Sequence, residues 1–240
     1  MPLPFFYKED ISTADQSVVL NEEGSKHIIQ VLRMRVGEQL QLTDGKGNLF
    51  TAEIADDNRK RCEVKIQSAA GSGQPAKRTA VAISLIKNTS RFEWFLEKAT
   101  EIGVSEIIPL ICERTEKQHF RHDRMKAVLV SAMLQSQQTW LPVLHEATKF
   151  AEVIAGKNYQ SKYIAHCLDE NNKQQLHLLP ITTGTKSPNL QIILIGPEGD
   201  FTPAEIESAI SNQFIPVALG ETRLRTETAG VVAATLLQLL

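Results

Sequence analysis

The spacing of apolar residues changes partway along the chain, and the change divides it in two. Within residues 1–68 the apolar positions alternate or pair in short runs: Ser17-Val-Val-Leu20, Glu38-Gln-Leu-Gln-Leu-Thr43, Leu49-Phe-Thr-Ala-Glu-Ile54 and Arg61-Cys-Glu-Val-Lys-Ile66. A period of two marks half-buried strands. Asp44-Gly45-Lys46-Gly47 separates the second and third runs and is a strong turn signal, so these two form a hairpin. Ile28, Val31 and Leu32 are spaced as on a helix, which predicts one helix within 24–34. Several short strands with one helix predict a small barrel.

Ala69-Ala-Gly-Ser-Gly-Gln-Pro-Ala76 interrupts this pattern with turn-forming residues. The domain division is placed there: a first domain over 1–70, a linker over 71–77 and a second domain over 78–240. In the second domain near-continuous apolar runs alternate with helical spacing. Thr79-Ala-Val-Ala-Ile-Ser-Leu-Ile86, Ile107-Ile-Pro-Leu-Ile111, Tyr163-Ile-Ala-His-Cys167 and Gln191-Ile-Ile-Leu-Ile195 are strands. Helices are expected over 92–102, with Gly103 as terminator, and over 121–138. Buried strands alternating with helices predict an α/β fold with a parallel sheet covered on both faces. Thr202, Pro203 and Glu205 form a helix start, with a cap, a proline at the first helical position and a capping-box acid. The segment over 230–240 is apolar almost all round, so it should pack onto the sheet and also against a partner subunit.

Composition narrows the function classes. Of 240 residues, 42% are hydrophobic and 22% charged, as in a globular protein, and the formal net charge of −2 excludes a bulk basic field. Any RNA contact must therefore use local basic patches. Cys62, Cys112 and Cys167 form no CxxC pair and no disulfide framework. The N-terminus lacks the basic start and apolar stretch of a signal peptide, and the longest apolar segment is too short to span a bilayer. The expectation is a cytoplasmic protein.

Familiar catalytic motifs are missing. The chain has no GxxxxGK[ST], GxGxxG after the first strand of the second domain, GxSxG or HExxH, and its six histidines show no metal-ligand clustering. No metal is expected. Two glycine-bearing loops remain, Gly196-Pro197-Glu198-Gly199-Asp200-Phe201 and Leu219-Gly220-Glu221-Thr222-Arg223-Leu224-Arg225-Thr226-Glu227-Thr228-Ala229. Each follows an apolar strand and precedes a helix, and together they predict one pocket at neighbouring strand ends, built largely from backbone groups.

These two loops resemble the signature of the RsmE family, SPOUT-superfamily methyltransferases that modify N3 of a uridine in small-subunit (16S) ribosomal RNA. The resemblance reaches upstream. His27-Ile-Ile-Gln-Val-Leu-Arg33, Val36-Gly37 and Asp44-Gly45 are similar to the family's N-terminal domain. Lys87, Glu97-Lys98-Ala-Thr-Glu-Ile-Gly103-Val, Pro109 and Glu113-Arg114 are similar to its middle region. The chain departs from the family pattern at Asp200, commonly glycine, and at Leu134-Gln135-Ser136-Gln137-Gln138, commonly Glu-Gln-Ser-Gly-Arg.

The resemblance implies a PUA-like β-barrel followed by a SPOUT-type α/β domain with a C-terminal trefoil knot, acting as a homodimer on 16S rRNA within the 30S subunit. It implies S-adenosylmethionine bound around Ile195, Gly196, Pro197, Glu198, Gly199, Leu219, Gly220, Leu224, Arg225, Thr226, Thr228 and Ala229, with S-adenosylhomocysteine as product. Arg225 is expected to stabilise the uracil anion. Glu227 either orients Arg225 or accepts the N3 proton, or the two simply pair to shape the loop. The RNA contacts expected are His27, Arg33, Arg35, Lys87, Arg91 and Arg114, with Lys117 as a further candidate. Methylation of another rRNA or tRNA site, and a non-catalytic assembly factor, are the alternatives.

Overall fold

The computed structural model describes residues 3–116, 119–156, 158–168, 173–178 and 189–239. The chain forms two compact units, one of Met1–Gln74 with Met133–Leu141, the other of Pro75–Ala132 with Pro142–Leu240.

The first unit contains β1 (Phe5–Tyr7), β2 (Ser17–Val19), α1 (Glu22–Lys26), a π-helical turn (His27–Val31), β3 (Gln39–Thr43), β4 (Asn48–Asp56) and β5 (Glu63–Gly71). The strands form one five-stranded sheet in the order β1-β3-β4-β5-β2. Ile28, Leu40, Leu42, Phe50, Ile54 and Val64 are fully buried and form its core. The expected hairpin joins β3 to β4, with Leu42 opposite Phe50. Its turn is fixed by the Asp44 carboxylate, which accepts from the Lys46 and Asn48 amides at 2.7 and 3.1 Å. Gly47 sits at φ 93° under Trp140, where a Cβ would lie 2.4 Å from the indole. Trp140 in turn donates from Nε1 to Ser72 Oγ at 3.0 Å, and Gly47 N donates to Thr139 O. The segment 133–141 thus completes this unit, although it lies far along the chain.

Two boundaries differ from the sequence expectation. The helix starts at Glu22 because Asn21 caps it through the Gly24 amide, and it changes to π-helical winding at His27. β5 continues to Gly71 because β4 is long enough to pair with it, from Asn48 opposite Gly71 onward.

The second unit holds β6 (Lys77–Ser84), α2 (Thr89–Ile102), β7 (Glu106–Ile111), α3 (His122–Gln135), β8 (Val143–Leu144), β9 (Thr148–Lys149), α4 (Phe150–Ala155), β10 (Ser161–Ala165), β11 (Gln174–Gln175), β12 (Asn189–Ile195), α5 (Pro203–Ser211), β13 (Ile215–Ala218) and α6 (Thr226–Leu239). Among the described residues its eight strands form one sheet, β11-β13-β10-β12-β6-β7-β8 with β9 also on β7, and every pairing is parallel. The central strands are apolar along their length, as burial on both faces requires: Val81, Ala82, Ile83, Ile192, Ile193 and Leu194 are fully buried. Gly103 ends α2 at φ 91°, and Thr202, Pro203 and Glu205 make the complete capping box of α5. α3 is shorter than expected because Gln137 adopts φ 55°, which ends helical winding. Gly230 lets α6 press against the sheet; a Cβ there would lie 2.6 Å from Phe95 and 2.8 Å from Ile83. One face of α6, through Ala233, Ala234 and Leu237, is fully buried, whereas the apolar Leu239 is exposed in the single chain. Among the described residues no helix is long and apolar enough to cross a membrane.

A polar cluster pins the start of β7. Glu106 accepts from Arg78 Nη2 at 2.8 Å and from the Tyr159 hydroxyl at 3.1 Å, with His145 Nε2 at 3.2 Å. The His145 contact, then the Tyr159 bond and the Arg78 charge, hold its carboxyl below the ordinary value of 4.5 against the opposing effect of burial. A depressed carboxyl stabilises the fold above its unfolded value and loses that contribution as pH falls through the folded value. Glu106→Gln should therefore cost about 2 kcal/mol near neutral pH. In urea denaturation the gap to wild type should close progressively below pH 4.5.

Candidate functional site

Because the sheet is parallel, the loops after β10, β12 and β13 leave at the same edge. Ala165 pairs with both Ile195 and Val217, so the three strand ends are level. The two glycine-bearing loops do not follow adjacent strands, as the sequence reading expected. β10 lies between β12 and β13, and its end supplies Ala165, His166 and Cys167 between the loops.

The first loop is braced from three sides. Thr226 Oγ1 donates to Gly196 O at 3.1 Å, Arg114 Nη1 donates to Gly199 O at 2.7 Å, and the Asp200 carboxylate accepts from Cys167 N at 2.8 Å. Gly196 is required by close approach, since a Cβ would meet the buried Phe201 ring at 3.1 Å. Asp200 has φ 64° and also accepts from Phe201 N at 2.8 Å. The left-handed conformation explains why the family pattern has glycine here, and aspartate is among the residues that tolerate it. The same reason applies to Gln137, the other position where the family commonly has glycine. In the second loop Gly220 has φ 148° and open space around it.

Two adjoining cavities lie between the loops. One, of about 420 Å³, is lined by Ile195, Gly196, Pro197 and Glu198 from the first loop, Leu224, Arg225, Thr226, Glu227 and Ala229 from the second, and Arg91 from α2. The other, of about 680 Å³, is lined by Leu219, Gly220, Leu224 and Ala229, together with His166 and Lys173. Of the expected cofactor residues, Gly199 and Thr228 lie outside both linings. The expected catalytic residues share the smaller cavity, but they are not partners. The Glu227 side chain is 8% exposed and faces Arg91, with Nε 3.7 Å from Oε1, while Arg225 is exposed. Among the described residues no ion pair joins Arg225 to Glu227.

The residues expected to contact RNA separate. Arg91 enters the cavity, held at the start of α2 by Asn88, whose Oδ1 accepts from the Ser90 and Arg91 amides. Arg114 clamps the first loop, and Lys87 pairs with Glu116 at 2.9 Å. His27, Arg33 and Arg35 are exposed in the first unit, in the same stretch as the exposed Val31, Leu32 and Val36. Lys117 lies outside the described residues. Sequence reading missed the contribution of β10; Arg223, which lines both cavities, it placed in the second loop without a role. Arg223 stood inside a quoted motif and was legible; strand order was not.

A cavity enclosed by loops at the C-terminal ends of parallel strands is where α/β domains bind ligands. A family profile described as RNA methyltransferase domain matches residues 73–238, and one described as RNA methyltransferase PUA domain matches residues 20–67. A probable rRNA-methyltransferase from Porphyromonas gingivalis, solved crystallographically, is 39% identical with a TM-score of 0.84, covering 97% of this chain and 95% of its own. A ribosomal RNA small subunit methyltransferase E from Neisseria gonorrhoeae, solved with S-adenosyl methionine, is 27% identical with a TM-score of 0.84, covering 99% and 97%. The protein of that name from Rickettsia conorii is 26% identical over 89% of this chain and 86% of its own length. The chain belongs to the RNA methyltransferase family, with a PUA-like first unit and a parallel α/β second unit.

Asp200 generates a stability test. Asp200→Ala removes two amide acceptors and keeps the left-handed backbone, so it should cost about 2 kcal/mol. Asp200→Asn retains one acceptor and tolerates the conformation, and should cost less than about 1 kcal/mol. Urea denaturation of both variants distinguishes the contributions.

Proposed function

We propose that this protein methylates N3 of a uridine in 16S rRNA, within the 30S subunit or a late precursor, using S-adenosylmethionine. The single observation that carries the reading is the convergence of both glycine-bearing loops, Arg225 and Glu227 on one cavity at the sheet edge. The residues fit the cofactor. Gly220, with open space where a Cβ would stand, lets the backbone come close to a ligand, Leu224 offers apolar cover for a flat ring, and the volumes suit a ligand of that size. Ile195, Gly196, Pro197, Glu198, Leu219, Gly220, Leu224, Arg225, Thr226 and Ala229 would hold it; Gly199 and Thr228 would act by shaping the loops. When bound, S-adenosylmethionine supplies an activated methyl group and leaves as S-adenosylhomocysteine.

The chain's own residues align and deprotonate the base. Glu227 accepts the N3 proton, since it faces the cavity and is not engaged by Arg225. Arg225, exposed at the rim, places its charge beside the uracil carbonyls, where negative charge develops. His27, Arg33 and Arg35 bind RNA phosphates through the first unit, where the exposed apolar neighbours Val31 and Leu32 give bases a surface to contact. The division into an RNA-binding domain over 1–70 and a methyltransferase domain over 78–240 belongs to this reading, as do the C-terminal trefoil knot and a cytoplasmic homodimer. The exposed Leu239 on α6 supports a second copy packing there.

Arg225→Ala should lower kcat for methyl transfer to 30S subunits at least about 100-fold while leaving thermal unfolding unchanged. Turnover near that of wild type would overturn its role. The thiols give an independent test of the cofactor site. Cys62 and Cys112 are buried and their thiols are pushed up by burial, to about 11 and about 12, whereas Cys167 is exposed and lines both cavities. Maleimide should label Cys167 alone in the native protein, and S-adenosylmethionine should slow that labelling.

A further inference from the structure

Glu227 is unusual in its surroundings. Its side chain is more than nine-tenths buried, in the first turn of α6, and it lines the smaller cavity. Among the described residues its carboxylate accepts no hydrogen bond within 3.5 Å. Its charge partner is the Arg91 guanidinium, whose Nε stands 3.7 Å from Oε1, beyond hydrogen-bonding distance. A buried carboxylate is costly unless paired, and its hydrogen-bonding capacity normally finds donors. Here the charge is compensated from one side while the acceptor capacity is unused inside a cavity.

The other charged groups lining that cavity are accounted for differently. The Asp200 carboxylate is occupied by the Cys167 and Phe201 amides. Glu198 lies close enough to Lys87 to act on its charge. Arg223 and Arg225 are exposed. Arg91 differs from the exposed arginines of the first unit in being anchored. Asn88 fixes the backbone of its helix turn, and its guanidinium is turned to a buried acid.

We propose that Arg91 is a positioning residue of the methyl-transfer site rather than a phosphate contact. It holds the Glu227 carboxylate so that its free acceptor capacity faces the N–H of the base to be methylated. This rests on the functional reading above. The N3 proton passes to a Glu227 oxygen, and the electron pair of the broken N–H bond forms the new N–C bond to the methyl group as that group's bond to the sulfonium sulfur breaks, its electron pair staying on sulfur in the released S-adenosylhomocysteine. A pairing longer than a hydrogen bond suits this role, because Arg91 neutralises the charge without occupying the acceptor.

The experiment measures methyl transfer to 30S subunits by the full-length protein, wild type and the variants Arg91→Ala, Arg91→Lys, Glu227→Gln and Arg91→Ala/Glu227→Gln. RNA binding is followed in parallel against salt concentration. A positioning role predicts that Arg91→Ala lowers kcat about 10-fold or more, with KM for RNA within about 2-fold of wild type. The slope of log K against log salt should be unchanged. Arg91→Lys keeps the charge and reports even where Arg91→Ala fails to fold; its kcat should fall between the two. The double variant should be no slower than Glu227→Gln alone, because Arg91 acts through that carboxylate. The opposite pattern overturns the inference: kcat retained, KM for RNA raised, and the salt slope reduced by about 0.7–0.9, the value of one phosphate contact. Full additivity in the double variant also overturns it. Absence of transfer by the wild-type protein overturns the functional reading itself, and this inference with it.

Discussion

Every described strand of the second unit runs in one direction, and the site depends on that constraint. A parallel sheet sends each strand's C-terminal loop to the same edge, so residues far apart in sequence meet without a dedicated scaffold. β12 and β13 each pair with β10, which sets their ends level at Ala165. β6 lies on the other side of β12 and leads into α2, which brings Arg91 to the same edge. The chemistry is thus placed by register.

Register alone leaves loops loose, and the first loop is made rigid by its neighbours. Bonds from α6, from the loop after β7 and from the loop after β10 reach Gly196, Gly199 and Asp200. Two of these donors come from groups expected to act elsewhere: Arg114 as an RNA contact and Thr226 as a cofactor contact. Both also hold backbone in place, so substituting either would alter the cavity as well as any ligand contact. Preorganised groups of this kind need little rearrangement when a ligand enters.

Much of this was legible in the sequence where a local rule operates. The turn at Asp44-Gly45-Lys46-Gly47, the cap at Thr202 and the terminator Gly103 all appear in place because each depends on neighbouring residues. The alternation of strands and helices gave the α/β class for the same reason. Strand order was not legible: apolar runs look alike whichever neighbour they pair with. The two-residue strands β8, β9 and β11 are too short to carry a period. Glu227 was found through its motif, but the neighbour it faces was not. Arg225 is close in sequence, whereas Arg91 reaches Glu227 only through the fold. The family's glycines at the positions of Asp200 and Gln137 became intelligible only once the backbone showed positive φ at both.

The segment that seats Trp140 over Gly47 has a consequence for how the chain assembles. The first unit is not a continuous stretch of sequence, because its hairpin turn is covered by residues that follow α2, β7 and most of α3. A nascent chain that has emerged only as far as Gln74 still lacks the indole that covers this turn. Until Leu141 has been made, the turn at Gly47 and the Ser72 hydroxyl lack the cover of Trp140. Closing so long a loop carries an entropic cost that local hairpins avoid, which ties the completion of the earlier unit to synthesis of the later one.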